Sequence, residues 1–98
     1  MWEFTAELWP WREDEPGSWV FVTLPPDIGE ELAIAAGPRN GFGSVKVVAT
    51  IGESTWSTSV FPEGGGGSFV LPVKKAVRKA EALDVGDAPR VRVALASS

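Results

Sequence analysis

Cysteine, histidine and tyrosine are absent from the 98 residues, and methionine occurs once, at the first position. Without cysteine the chain has no disulfide, no thiolate metal site and no thiol nucleophile. Without histidine it lacks the side chain that most often serves as general base or transition-metal ligand near neutral pH. Long apolar runs are missing as well. None approaches the ~20 residues that a membrane-spanning helix needs, and the N-terminus lacks the basic, apolar, small-residue order of a signal peptide. These absences predict a cytoplasmic protein with no membrane association. They leave carboxylate, lysine and hydroxyl groups as the catalytic repertoire.

What is present is ordinary in bulk but uneven along the chain. A length of 98 residues, 44% of them hydrophobic, with a mean hydropathy of +0.04, suits one domain spanning 1–98 around one core. The net charge of −4 conceals a division: residues 1–36 carry eight acids against Arg12 alone, whereas 37–98 carry eight bases against five acids. Folding into one domain lets the two halves neutralise each other, so a basic patch has to be sought in local spacing.

The chain is organised around residues 42–83, which read as strand, tight turn, strand, glycine-rich loop, strand and helix. Val45, Val47, Ala49 and Ile51 alternate with Lys46, Val48 and Thr50, the period of a strand with one buried face. Gly52-Glu53 fits a type II′ hairpin turn with glycine at the positive-φ position. On the return strand, Trp56, Thr58 and Val60 share one face. Thr55, Ser57, Ser59 and Phe61 share the other, which is wet or lines a shallow groove. A loop over 62–67 leads to a short strand over 68–73, which Pro72 places at an edge or at its own end. The following helix, from 74 to about 83, buries Val73, Ala76, Val77, Ala80 and Leu83 at helical spacing.

The flanks supply the rest. Trp2, Phe4, Ala6 and Leu8 alternate with polar residues in a first strand, which Trp9-Pro10-Trp11 terminates. Residues 12–17 form a charged surface loop. Residues 18–24 are apolar on both faces, as in a central strand covered from two sides, with Trp19 in the core beside Trp2. Trp9 and Trp11 form a lid on one end or, as the alternative, an exposed aromatic patch for a partner. Asp27 and Glu30 match a capping box for a short helix whose stripe is Ile28, Leu32, Ala35 and Ala36, stopped by Gly37-Pro38. A last strand over 89–96 points Val91, Val93 and Leu95 inward and Arg90 and Arg92 outward. The whole is mainly β, a small split or pseudo-barrel of about six strands capped by two short helices.

Residues 64–67, all glycine, invite comparison with a phosphate-binding loop, but that loop must lead directly into a helix, and here a strand intervenes. The neighbouring acids Glu13, Asp14 and Glu15 lack the spacing of a calcium loop. No metal, cofactor or catalytic residue is therefore assigned. The strongest candidate is basic: Lys74, Lys75, Arg78 and Lys79 cover an arc of roughly 140° on the second helix, at about 100° per residue. Such a face is ordinarily solvated or paired with the acidic N-terminal half; as an anion or nucleic-acid contact, it joins Lys46 and Thr58 in the candidate ligand-binding set.

The order of parts — WVFVTLP near the start, VKVVATIG, TSVFP, a glycine loop, LPVKKAVRKA and GD before the last strand — resembles a bacterial domain-of-unknown-function family, catalogued as nineteen-oh-five. The likeness runs from about Trp2 to Leu95. It implies a small split β-barrel capped by helices, similar in architecture to AbrB- and MazE-type swapped-hairpin DNA binders, with no activity established for the family. Likeness of fold does not carry function with it. The expectation is a small binding or interaction module for an unidentified small ligand or protein, monomeric or homodimeric. The alternative is an AbrB-like dimeric nucleic-acid binder, favoured by the basic helix and opposed by a pI of about 4.7. An enzyme is the third class, and no spacing places a base beside a nucleophile.

Overall fold

The computed structural model describes residues 1–12, 19–37, 43–63 and 68–96. The acids at 13–15, Gly41-Phe42 and the glycines at 64–67 lie outside the described residues. Among the described residues seven strands and two helices follow in the order β1 (Trp2–Thr5), β2 (Trp9–Pro10), β3 (Val20–Thr23), α1 (Pro26–Ala36), β4 (Val45–Ile51), β5 (Ser54–Pro62), β6 (Phe69–Pro72), α2 (Lys75–Ala80) and β7 (Arg90–Leu95). The strands form a curled half-barrel sheet, antiparallel throughout, in the order β1-β7-β4-β5-β6-β3-β2. β5 turns the corner. Its residues from Ser54 to Val60 pair with β4, and Phe61 and Pro62 pair with β6.

The strand count exceeds the expected six because Trp9 and Pro10 pair with Phe21 and Val20. Proline was expected to end the strand, since it cannot donate to a ladder. The Trp11 N–H instead donates to the Trp19 carbonyl at 2.7 Å, so Pro10 falls between ladder bonds. Its missing N–H faces the open edge, where it costs nothing.

Period-2 alternation places the core. Val45, Val47, Ala49 and Ile51 are all buried, as are Trp56 and Val60 opposite them on β5. At the hairpin Gly52 has φ 58°, while Glu53 keeps a negative φ, as a type II′ turn requires. Phe4 and Leu8 bury as expected, with Trp2 and Ala6 partly buried against the same core.

Residues 19–24 depart from expectation. Val20, Val22 and Leu24 face the core, and the alternate residues face the other way. Trp19 is 65% exposed rather than buried. The second face of β3 is covered by aromatic rings instead: Trp9, Trp11 and Trp19 pack around the buried Phe21 with centroids 5.2, 6.0 and 6.1 Å away. Trp9 and Trp11 thus cover Phe21, yet Trp11 remains 63% exposed.

The helices are also adjusted. Pro25 caps α1 with no side-chain hydrogen bond, and Pro26 opens the helix. Proline suits that position, where its absent N–H would have had no partner. Asp27 therefore sits within the first turn, favourably placed in the helix dipole, instead of capping. Leu32 is buried, Ile28, Ala33 and Ala36 are partly so, and Ala35 is exposed. Helix α2 is only six residues long. Val77 is its buried residue; Ala76 and Ala80, expected inside, are exposed because so short a helix turns only one position fully inward. Past its C-cap the chain turns at Ala82 (φ 53°), where the Ala82 and Leu83 N–H groups donate to the Lys79 and Arg78 carbonyls at 3.3 and 2.8 Å. This is a Schellman motif with alanine in the usual glycine position. Leu95, expected inward, is 37% exposed; its partner in register is the fully buried Val47, so it lies at the rim of the inner face. Among the described residues no helix is long and apolar enough to cross a membrane.

Candidate functional site

Three separate segments meet beside the start of β3. On β5, alternation turns Trp56 inward to 7% exposure and leaves Thr58, two residues on, half-buried. On β6, Pro72 ends the ladder opposite Phe21, and the next residue, Val73, is tied back by its N–H to the Val20 carbonyl at 2.9 Å. Lys74 then keeps an extended backbone as the N-cap of α2, with no side-chain cap. Because the chain turns there, the first basic residues of the helix stand beside β5 and the edge of Trp19.

The result is a cleft of about 340 Å³, a volume suited to a small organic ligand. Trp19, Val20, Trp56 and Pro72 form apolar walls; Thr58 supplies a hydroxyl, with Ser57 beside it bordering the cleft; Lys74, Lys75 and Arg78 supply positive charge. Among the described residues no carboxylate lines it. Lys74 and Lys75 are exposed, and Arg78 is half-buried. Its Nε donates to the Val73 carbonyl at 3.1 Å, which holds the guanidinium at the cleft wall.

Of the candidate residues named from the sequence, the structure brings Thr58, Lys74, Lys75 and Arg78 to this cleft. Lys46 does not join them. It pairs in register with Ser59, whereas Thr58 pairs with Val47. Cross-strand partners share a face, so Lys46 and Thr58 lie on opposite sides of the sheet. Lys79 lines a neighbouring open depression with Ala82 and Asp84. Sequence reasoning missed Trp19 as a site residue, having placed it in the core, and Trp56, which is in the core as its face predicts and also lines the cleft. It also missed Ser57, although the hydroxyl-rich face of β5 was the available signal.

The model of the family described as Domain of unknown function (DUF1905) matches residues 4–93. The chain belongs to the DUF1905 family. The DUF1905 match starts within β1 and ends within β7, so it takes in both helices and every residue of the cleft. Among curated proteins no relative matches the chain. Membership in DUF1905 brings no activity with it, and the function has to be argued from the cleft.

Proposed function

We propose that the chain is a small binding module whose cleft takes an organic anion with a flat or apolar body, such as an aromatic carboxylate, sulfonate or phosphate ester. A single observation carries this: two indoles and three cations, drawn from segments far apart in sequence, line one cavity that no carboxylate among the described residues enters. An apolar body against Trp56, Pro72 and the Trp19 ring would exclude water. The anionic group would then lie among Lys74, Lys75 and Arg78 in a partly desolvated setting, where charge-assisted hydrogen bonds are strongest. Arg78 is the anchor, since its position is set by the bond to Val73, while the two lysines are mobile point charges. Thr58 supplies a hydroxyl able to donate to the same anion or accept from the ligand.

A dye pair tests the assignment. Anilinonaphthalene sulfonate carries an aromatic body and a sulfonate; phenylnaphthylamine is its neutral counterpart. Fluorescence titration should show saturable binding of the sulfonate that weakens by about tenfold, or ~1.4 kcal/mol, when Lys74, Lys75 and Arg78 are all changed to glutamine. Binding of the neutral dye should be unchanged by that triple substitution. Equal loss for both dyes, or no loss for the sulfonate, would remove the cations from the site.

A further inference from the structure

On the far side of Trp19 from the cationic cleft lies a second groove, of about 410 Å³, bounded by Trp9, Trp11, Phe21, Phe61 and Glu63. Three of its bounding residues are large apolar side chains left in water: Trp11 at 63%, Trp19 at 65% and Phe61 at 41% exposure. A cluster of that kind marks an interaction surface more often than chance scatter does. We propose that this groove binds a proline-rich segment of a partner protein in the polyproline II conformation, with a basic residue of the segment set against Glu63.

The rings provide the surface. Trp9, Trp11 and Trp19 surround Phe21 at interplanar angles of 33°, 64° and 24° to its ring, so Trp11 is inclined to the others and the rings do not make one flat platform. Proline rings of a polyproline II helix project at regular intervals and dock into aromatic-lined grooves. Such a helix has no internal hydrogen bonds, and its carbonyls are open to outside donors. The Trp9 indole N–H is already committed to the Thr23 hydroxyl at 2.9 Å. Those of Trp11 and Trp19 have no hydrogen-bond partner among the described residues and remain available to peptide carbonyls.

Other occupants fit less well. An extended peptide adding to the sheet would need a donor-bearing edge, but the adjacent edge strand β2 has two residues and presents Pro10. A sugar would need several polar side chains around the rings, and Glu63 is the one charged or polar side chain lining the groove among the described residues. Glu63 supplies the charge complementarity: it is exposed at the rim, where it would meet a lysine or arginine of the segment.

This assignment does not depend on the anion site, and the experiment separates the two. A fluorescein-labelled oligoproline carrying one terminal arginine is titrated with the whole chain and followed by anisotropy, against a glycine–serine peptide of equal length and charge. Saturable binding of the oligoproline alone is expected. Trp11→Ala and Phe61→Ala, which touch this groove and not the cleft, should each weaken it by about tenfold, as anchor residues do. Glu63→Gln should weaken binding and reduce its salt dependence. The Lys74, Lys75 and Arg78 glutamine triple variant should bind the oligoproline as the parent does. Circular dichroism melting of each variant establishes that it is folded. Binding of both peptides alike, or oligoproline binding unmoved by Trp11→Ala and Phe61→Ala, would overturn the proposal. So would sedimentation showing a dimer that Trp11→Ala dissociates, since the groove would then belong to a second copy of the chain.

Discussion

The Ser54 hydroxyl donates to Oε2 of Glu81 at 2.7 Å across 27 residues of sequence, fastening the end of α2 to the β4–β5 hairpin. The same carboxylate lies over Gly52, where an added Cβ would overlap it. Glycine is thus favoured at this turn by its φ of 58°, and a Cβ there would also push the Glu81 carboxylate away from Ser54. The fastening also bears on the cleft, because α2 carries Lys75 and Arg78 at one end and Glu81 directly follows its other end.

Gly52→Ala should therefore destabilise the protein by roughly 2–3 kcal/mol, combining ~1–2 for a left-handed alanine with about 1 for the displaced Ser54–Glu81 bond. Glu81→Ala alone should cost about 1 kcal/mol. Combined with Glu81→Ala, the Gly52 change should cost less than it does alone, because the clash has been removed. Urea denaturation of the two single variants and the double variant measures the coupling. Strict additivity would mean that Glu81 does not press on the turn.

Two large residues near the N-terminal strands should behave in opposite ways. Leu8 is fully buried, and Leu8→Ala should cost about 2–5 kcal/mol through lost transfer energy and the cavity left behind. Trp19, despite its greater size, is 65% exposed, and Trp19→Ala should cost less than about 1 kcal/mol. Comparable losses at the two positions in denaturant titrations would contradict the outward orientation of Trp19.

Ala82 occupies a left-handed conformation at φ 53°, in which a Cβ is unfavourable by roughly 1–2 kcal/mol. Glycine loses more entropy on folding and so recovers only part of this. Ala82→Gly is expected to stabilise the protein by about 0.5–1 kcal/mol, raising its melting temperature. A fall in melting temperature would show that the Schellman turn is not populated in solution.

Duplex DNA should bind poorly. Lys75 and Lys79 are exposed on a helix of six residues and Lys74 at its N-cap, and the chain as a whole carries a charge of −4. Binding to mixed-sequence duplex is expected to be no tighter than the non-specific range of roughly 10⁻⁴–10⁻⁶ M near physiological salt. Sub-micromolar affinity, falling steeply with added salt and lost on neutralising these lysines, would instead assign the basic face to nucleic acid.

Much of the site lay open in the sequence, though not its assembly. That Lys46 and Thr58 occupy opposite faces follows from the two strand alternations, because Thr58 keeps step with Trp56 and Val60 while Lys46 is out of step with Val45 and Val47. Grouping the two in one candidate set overlooked that parity. The basic residues at 74, 75 and 78 were evident from helical spacing alone.

The sequence by itself determined the elements whose signals are local: the β4–β5 hairpin, turned at Gly52 with every inward residue of β4 in its place, the glycine end of α1, and the inward valines of β7. One apolar face against one polar face leaves a strand a single way to sit. Tertiary structure decided the rest. Residues 19–24 are apolar on both sides, so periodicity cannot choose a face; pairing with β6 and β2 turned Val20 and Val22 inward and left Trp19 out. The cleft exists because β3, β5 and the β6–α2 junction are brought together by pairings between segments far apart in the chain, and such convergence leaves no mark on any one of them.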